Sequence, residues 1–580
     1  MTKFKIELLF LLLLLSNLYC AGQDISTFPT AHKDLTITGY ISTNHSNNFQ
    51  SENNIYSGLY SGNITFSTTG FSVPLTFIYT NQKTNFSHPF NQFAIHPSYK
   101  WIQTHIGTVS MSMSPYTLNG HLFTGAGLEL TPPGNFTLSL MHGRLKKSIV
   151  YDSANNIEPQ FRRMGSGILI GYKKNKDQVS ISIFKAKDIE EGIAAPSVAD
   201  NSIIIPQENA AIAIKAGTTI LERLSINAEF GSSTVTKDTR MPKKTGGNSG
   251  FDLSKLFLTN TQSTISRNAL RAYTNYSFGQ MSIGVGYERV DPEFLTFGTY
   301  YFTNNLENMI FNLSTTLSEN KINLSGNIGL QKDNLDKNKM NNTKRLVSSG
   351  NIGYTPTEKI NLNVGYSNFS SYTNVRSTFD YINQTDPIQT WDSLNFRQIS
   401  QNLNLNGNYQ ISNDKKKRQS IGTNLTYQIS NDRTGLDSLS TARFYNLNTS
   451  FNLSFVPQSL SISTSLNINK NEILGNNSFT WGPGVNISKM YFEQKLRTTA
   501  SFNYNTSRTY SGNGSIFNFR LGCTVILKKI HNFNINGLSQ WRTSYQNQTK
   551  TVRNSGLISL GYIYNFNLLS KNTQKNGIDQ

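Results

Sequence analysis

Five of the eight histidines, His88, His96, His105, His121 and His142, fall in one stretch of the chain. Imidazoles in such numbers are the raw material of a zinc site or of acid–base catalysis. Their spacing supports neither, because a helical pair needs i,i+4 and zinc motifs need short fixed intervals between ligands. Scattered interior or interface histidines are expected, and no metal. Nucleophilic catalysis needs a Ser or Cys held beside a base. Serine is too abundant for one to stand out, and the only cysteines are Cys20 and Cys523. No catalytic residue and no cofactor is assigned, and the chain is not expected to be an enzyme.

A second set of chemically capable residues is ionic. Glu129, Glu229, Arg271, Glu288, Arg497 and Arg520 each fall in phase with Gly, Ser and Asn rather than with the apolar residues beside them. In a membrane β-strand that phase is the water-filled side, since a charge on the lipid face costs about 2–4 kcal/mol at the midplane. Such residues either set ion preference at a constriction or form a salt-bridged lattice that stiffens the wall. Cys523 falls on the apolar phase and reads as a small lipid-facing hydrophobe.

The elements that would position these residues are long alternating strands. In Gln401–Ile411, Leu403, Leu405, Gly407, Tyr409 and Ile411 share one face, and Asn402, Asn404, Asn406, Asn408 and Gln410 the other. Tyr445–Phe455 and Leu460–Ile468 repeat the arrangement. Successive strand side chains point to opposite faces, so each segment has an apolar and a neutral wet side. The alternation runs longer than the ~5–6 residues of an average soluble strand. Connections alternate between short ones, such as Gly279-Gln280 and Val456–Ser459, and long ones, such as Asp291–Asn305 and Tyr372–Phe396. That rhythm predicts an all-β, transmembrane antiparallel up-and-down β-barrel, with short periplasmic turns and long external loops; a soluble all-β array is the alternative.

Composition agrees. Of 580 residues only 37% are hydrophobic and 15% charged, with Asn, Ser, Thr and Gly filling the difference. Soluble domains usually carry about 45–50% and 25%, while an aromatic content of 11% argues against disorder. Lys3 and Lys5 precede the apolar run Leu8–Leu15, and small residues follow at Cys20-Ala21-Gly22. Residues 1–22 therefore read as a secretory signal peptide, with a lipid-modified Cys20 the alternative. Residues 23–33 form a short periplasmic segment, 34–568 a single barrel and 569–580 a tail. About 21 strands follow residue 121 and about four precede residue 111. Since an odd count cannot return both termini to one side, about 26 strands are expected (range roughly 24–28), with the miscount between Gln82 and Gly120.

Near the C-terminus Ser559-Leu560-Gly561-Tyr562-Ile563-Tyr564-Asn565-Phe566 resembles the terminal β-signal of Gram-negative outer-membrane proteins, carried by Ser559, Gly561, Tyr564 and Phe566. The resemblance implies the outer membrane as location and recognition by the barrel-assembly machinery; the tail beyond the motif departs from the usual pattern. Gly286–Asn308 is similar to large uncharacterised outer-membrane barrels and implies no activity.

A 26-strand barrel is wider than porins that already hold open water, so its lumen must be filled. Only residues 23–33 precede the first strand, too few for a plug domain. Closure by loops, inward side chains or a partner is expected, the partner being a lipoprotein or secreted protein. The irregular stretches Asn91–Gly107 and Ser112–Gly127 are the candidate closure, with Phe93, His96, Tyr99, Trp101 and His105 as its packing residues; an ordinary external loop is the alternative. The net charge of +19 gathers at strand ends, including Lys146-Lys147, Arg162-Arg163 and Lys243-Lys244 outside and Lys415–Arg418 and Lys528-Lys529 at short turns. External cations suit outer-leaflet glycolipid phosphates or an anionic partner; no motif supports nucleic acid. A pore or translocation component for a solute or polypeptide is expected, gated by its loops or a partner. The alternative is a non-conducting scaffold or receptor organising a surface complex.

Overall fold

The computed structural model describes residues 35–50, 54–81, 92–150, 159–190, 204–243, 258–333, 335–336, 344–368, 371–374, 396–432, 440–473, 476–510, 512–546 and 549–569. Segments 1–22 and 23–33, the tail from residue 570 on, and His88 lie outside them. In chain order the strands are β1 Thr36–Gln50, β2 Asn54–Thr68, β3 Phe71–Thr80, β4 Gln92–Ile95, β5 Ser98–Tyr99, β6 Ile102–Ser112, β7 Asn119–Leu130, β8 Phe136–Lys146, β9 Arg162–Lys174 and β10 Asp177–Ile189. They continue as β11 Glu208–Ile220, β12 Leu224–Thr236, β13 Thr264–Phe278, β14 Met281–Val290, β15 Leu306–Leu317, β16 Ile322–Asp333, β17 Lys344–Thr357, β18 Ile360–Ser367 and β19 Ser371–Asn374. The last nine are β20 Phe396–Asn413, β21 Lys417–Asp432, β22 Ser440–Phe455, β23 Leu460–Ile473, β24 Asn476–Tyr491, β25 Leu496–Thr509, β26 Gly512–Leu527, β27 His531–Gln546 and β28 Thr549–Leu569.

Chain neighbours pair antiparallel all the way round, and β28 returns to pair with β1, setting Ser559 opposite Ser46 and Leu569 opposite Thr36. Two staves of the barrel are each made of two segments. β4 and β5 both pair with β3 and β6, and β18 and β19 both pair with β20. The result is a closed barrel of 26 staves. The stave of β4 and β5 explains why periodicity alone comes up one short between Gln82 and Gly120. It breaks at His96-Pro97, where proline has no N–H to give the ladder.

With strands about 4.8 Å apart and tilted about 40°, a round barrel of this size is about 50 Å across between backbones. The end that carries both Thr36 and Leu569 has short turns throughout, such as Gly279-Gln280 and Lys528–Ile530, and the opposite end carries the long connections. Closure leaves no strand edge, so backbone polar groups are satisfied within the sheet, as a lipid environment demands.

Register fixes the two faces. Val285, Met309, Leu330, Ile352, Ile558 and Leu560 point outward and are 45–61% exposed in the isolated chain. Such a continuous apolar belt needs lipid rather than water around it. Aromatic rings gather near the short-turn end on the same outer face. Phe71 and Tyr99, Phe136 and Tyr172, Tyr276 and Phe278, and Tyr564 and Phe566 pair with centroids 5.0–6.4 Å apart. Amphipathic rings favour the headgroup level, where one end is wet.

Candidate functional site: two loops folded into the lumen

Among the described residues, two connections from the long-loop end turn inward instead of outward. Met113–Leu118, between β6 and β7, makes a tight turn in which Met113 N–H and Ser114 N–H both donate to Leu118 O (2.8 and 3.2 Å). Asp291–Asn305, between β14 and β15, is held at its base by Asn305 N–H to Asp291 O (3.3 Å) and by Asn268 N–H to the Asp291 carboxylate (2.9 Å). The loops meet inside the barrel. Leu118 bridges Gly298, Asn119 N–H donates to Gly298 O (2.9 Å) and Thr296 Oγ1 donates to Thr117 O (2.6 Å). A Cβ on Gly298 would stand 2.2 Å from Thr117 O, so the approach requires glycine there.

Apolar side chains join the loops to the wall on its wet side, which is elsewhere chiefly polar. Leu118 and Phe297 pack with Val109, Met111, Phe123, Met141 and Phe184, while Tyr116 packs with Phe294, Phe302, Ala269 and Val290. Tyr116 is 1% exposed, edge-to-face with Phe294 at 5.8 Å, and lies over Gly231, where a Cβ would come within 2.5 Å of its own. Burying each such side chain contributes about 1.5–3 kcal/mol.

Polar pins complete the docking. Asn209, fully buried on β11, donates to Ser233 Oγ (2.8 Å) and Thr234 O (3.0 Å) and accepts from Phe297 N–H (3.0 Å). Ser233 Oγ donates to Leu295 O (2.6 Å). Ser114 Oγ donates to the Glu229 carboxylate, which also takes Arg271 Nη2 at 2.6 Å, and Arg271 lies beneath the Tyr116 ring. Arg163 grips Asp188 through two bonds (2.7 and 2.9 Å) and stacks on Phe297, 3.6 Å from its centroid. At the outer rim Lys237 and Glu293 pair at 2.8 Å. This hydrogen bond and the lysine charge hold the Glu293 carboxyl below the usual carboxylate range.

Register sets Glu129, Glu229, Arg271, Glu288, Arg497 and Arg520 on the wall face opposite the apolar belt. Glu229, Arg271 and Glu288 stand directly opposite one another across β12, β13 and β14. Glu288 accepts from Asn308 (3.4 Å), and Arg497 Nε donates to Ser488 Oγ (3.1 Å). Arg520 stands opposite Ser501, and Glu129 lies 3.7 Å from His105. The expected packing residues divide. His96 and His105 point inward and bond to each other through their Nδ1 atoms (2.8 Å). Phe93 and Tyr99, however, lie on the outward face, 48% and 44% exposed, and Trp101 sits in the short turn before β6. These three do not fill the lumen, because the described part of Asn91–Gly107, residues 92–107, is wall rather than loop, and alternation turns Phe93 and Tyr99 to the lipid. The inward segment is Met113–Leu118, and its partner Asp291–Asn305 was expected to be an external loop.

The far side of the lumen is different. From β17 to β24 inward positions are chiefly Asn, Ser, Thr and Gly, bonded side chain to side chain: Asn351 with Asn363 (3.2 Å), Asn424 with Asn404 (3.2 Å), Ser463 with Asn452 (2.7 Å). Among the described residues, the inward loops clad the β6–β15 side.

No family model matches the chain, and no curated protein matches it. Among solved structures, the P pilus usher (PapC) translocation pore is similar at 11% identity and TM-score 0.34, covering 92% of this chain and 100% of that one. The ferric citrate transporter FecA is similar at 9% identity and TM-score 0.37, covering 93% and 80%. OccAB2 of Acinetobacter baumannii gives 8% identity and TM-score 0.31, covering 91% and 98%.

Proposed function

We propose that the chain is an outer-membrane pore or translocation component whose lumen is narrowed from one side by its own loops. The observation that carries this is the docking of Met113–Leu118 on Asp291–Asn305 inside the barrel, through buried aromatics and the Asn209 pins. A loop that serves an external surface has no need of a core inside the lumen. The neutral amides and hydroxyls lining β17 to β24 offer a hydrated surface to a passing solute or chain. The two described inward loops are short beside a lumen about 50 Å wide, and a lipoprotein or secreted partner completes the closure. Outward aromatics meet lipid and glycolipid, and Tyr564 and Phe566, outward on the closing strand, with Ser559 and Gly561 inward, present the motif for the assembly machinery.

Planar-bilayer recording on purified protein tests the proposal. Discrete, stable openings are expected, and replacing residues 292–304 with a short Gly-Ser turn should raise the unit conductance. Membranes left sealed by both proteins would overturn it in favour of a non-conducting scaffold.

A further inference from the structure

Charge in the lumen is divided between its two sides. On the clad side, cations face acids: Arg271 meets Glu229 and Arg163 meets Asp188. The ten consecutive staves from β24 through the seam to β6 contain no Asp or Glu. Register places four of their cations inward: Arg497, Arg520, Arg542 and Arg553. Lys489, Arg508 and Lys550 fall on the outward phase.

The four are staggered in height. Arg520 stands opposite Leu538, four residues from Arg542 towards the long-loop end. Arg497 stands opposite Thr524, four residues from Arg520 towards the short-turn end. At about 3.3 Å per residue, each step is about 13 Å along the strands. Arg542 and Arg553 are direct register partners, both exposed to the lumen near the long-loop mouth. Like charges directly opposite destabilise a sheet, and no carboxylate on these strands offsets them. An anion between the two guanidiniums would, with the fork geometry that suits phosphate or carboxylate.

We propose that Arg542 and Arg553 form an anion-capture site at the external mouth, and that Arg520 and Arg497 extend it inward as a track for anionic solutes. This rests on the pore reading and narrows it to a substrate class, small or polymeric anions bearing phosphate or carboxylate groups. The track lies across the lumen from the Glu229–Arg271 pair, eleven to thirteen staves away. The two sides therefore act independently at physiological salt, where the Debye length is about 8 Å.

The test is the reversal potential of single channels under a potassium chloride gradient near 0.01 M, where screening extends to about 30 Å. Anion preference is expected, shrinking as salt rises, and Arg542→Gln/Arg553→Gln should cut the chloride-to-potassium permeability ratio by about twofold or more. Inorganic tripolyphosphate should block the wild-type current and block the double variant about tenfold less well. Cation preference, or a double variant indistinguishable from wild type, overturns the proposal while leaving a pore. A wild-type protein that never conducts refutes the pore reading instead. The site is then judged by calorimetric titration of the detergent-solubilised protein with tripolyphosphate. Binding lost in the double variant supports the capture site, and no binding to wild type overturns it.

Discussion

Asn209→Leu separates loop docking from barrel integrity. The replacement keeps the branching and heavy-atom count of the side chain at a fully buried, inward wall position, so the lipid face is untouched. It removes the acceptor for Phe297 N–H and the donor to Thr234 O and Ser233 Oγ. The orphaned Phe297 amide costs the docked state about 1–3 kcal/mol, while the lost bonds to β12 lie within the wall and affect docked and undocked states alike. Docking of Asp291–Asn305 should weaken by about 1–3 kcal/mol, a shift of roughly 5- to 140-fold in the docked-to-undocked ratio at 1.4 kcal/mol per decade. In single-channel recordings the wild type should hold its lower conductance level, and the variant should spend most of its time in a larger one. Heat-modifiable migration on gels should be unchanged, which shows the barrel intact. A variant that gates like wild type while keeping that migration would refute the view that the inward loop limits the lumen.

Gly298→Val should separate the two loops, because its Cβ would collide with Thr117 O at 2.2 Å. Gly231→Val should act on the same contact through Tyr116, so the double variant should raise conductance by less than the sum of the singles. Acid should loosen the outer rim. Glu293 is held below its ordinary range by Lys237, so its tie is present at neutral pH and lost as pH falls through that lowered range. Both side chains are about half exposed, so opening should rise less than about fivefold, and Glu293→Gln should abolish that response in recordings at pH 3 against pH 7. Tyr564→Ser with Phe566→Ser should reduce the fraction of chain reaching the heat-modifiable form in cells; an unchanged yield would remove their role in assembly.

Period-two alternation carries most of the fold, because one wet and one lipid face leave each strand residue few options. The same phase places Glu129, Glu229, Arg271, Glu288, Arg497 and Arg520 inward. It applies equally to Phe93 and Tyr99, whose outward phase follows from Ala94 and Ser98 facing in; turn residues nearby masked that pattern. Asn209 stayed hidden because an inward Asn on this chain looks like dozens of others until a loop reaches it. Phe294, Phe297, Tyr300 and Phe302 did leave a trace in the sequence. With Tyr301 that is five rings in a connection without strand phase, poorly hydrated outside the barrel, and packing Phe294, Phe297 and Phe302 inside relieves much of that cost. Gly298 shows its purpose only once Thr117, far away in the chain, lies against it.

The seam between β1 and β28 makes the chain's two ends each other's neighbours, 533 residues apart. Contacts so distant in sequence form slowly, since the intervening loop must be ordered before they reward it. Until Leu569 has been synthesised and exported, β1 has no partner on one side. It stays an open template to which any other unpaired strand can add. The last strand therefore acts as a kinetic lock, and the time before it arrives is the interval in which this protein is most exposed to aggregation.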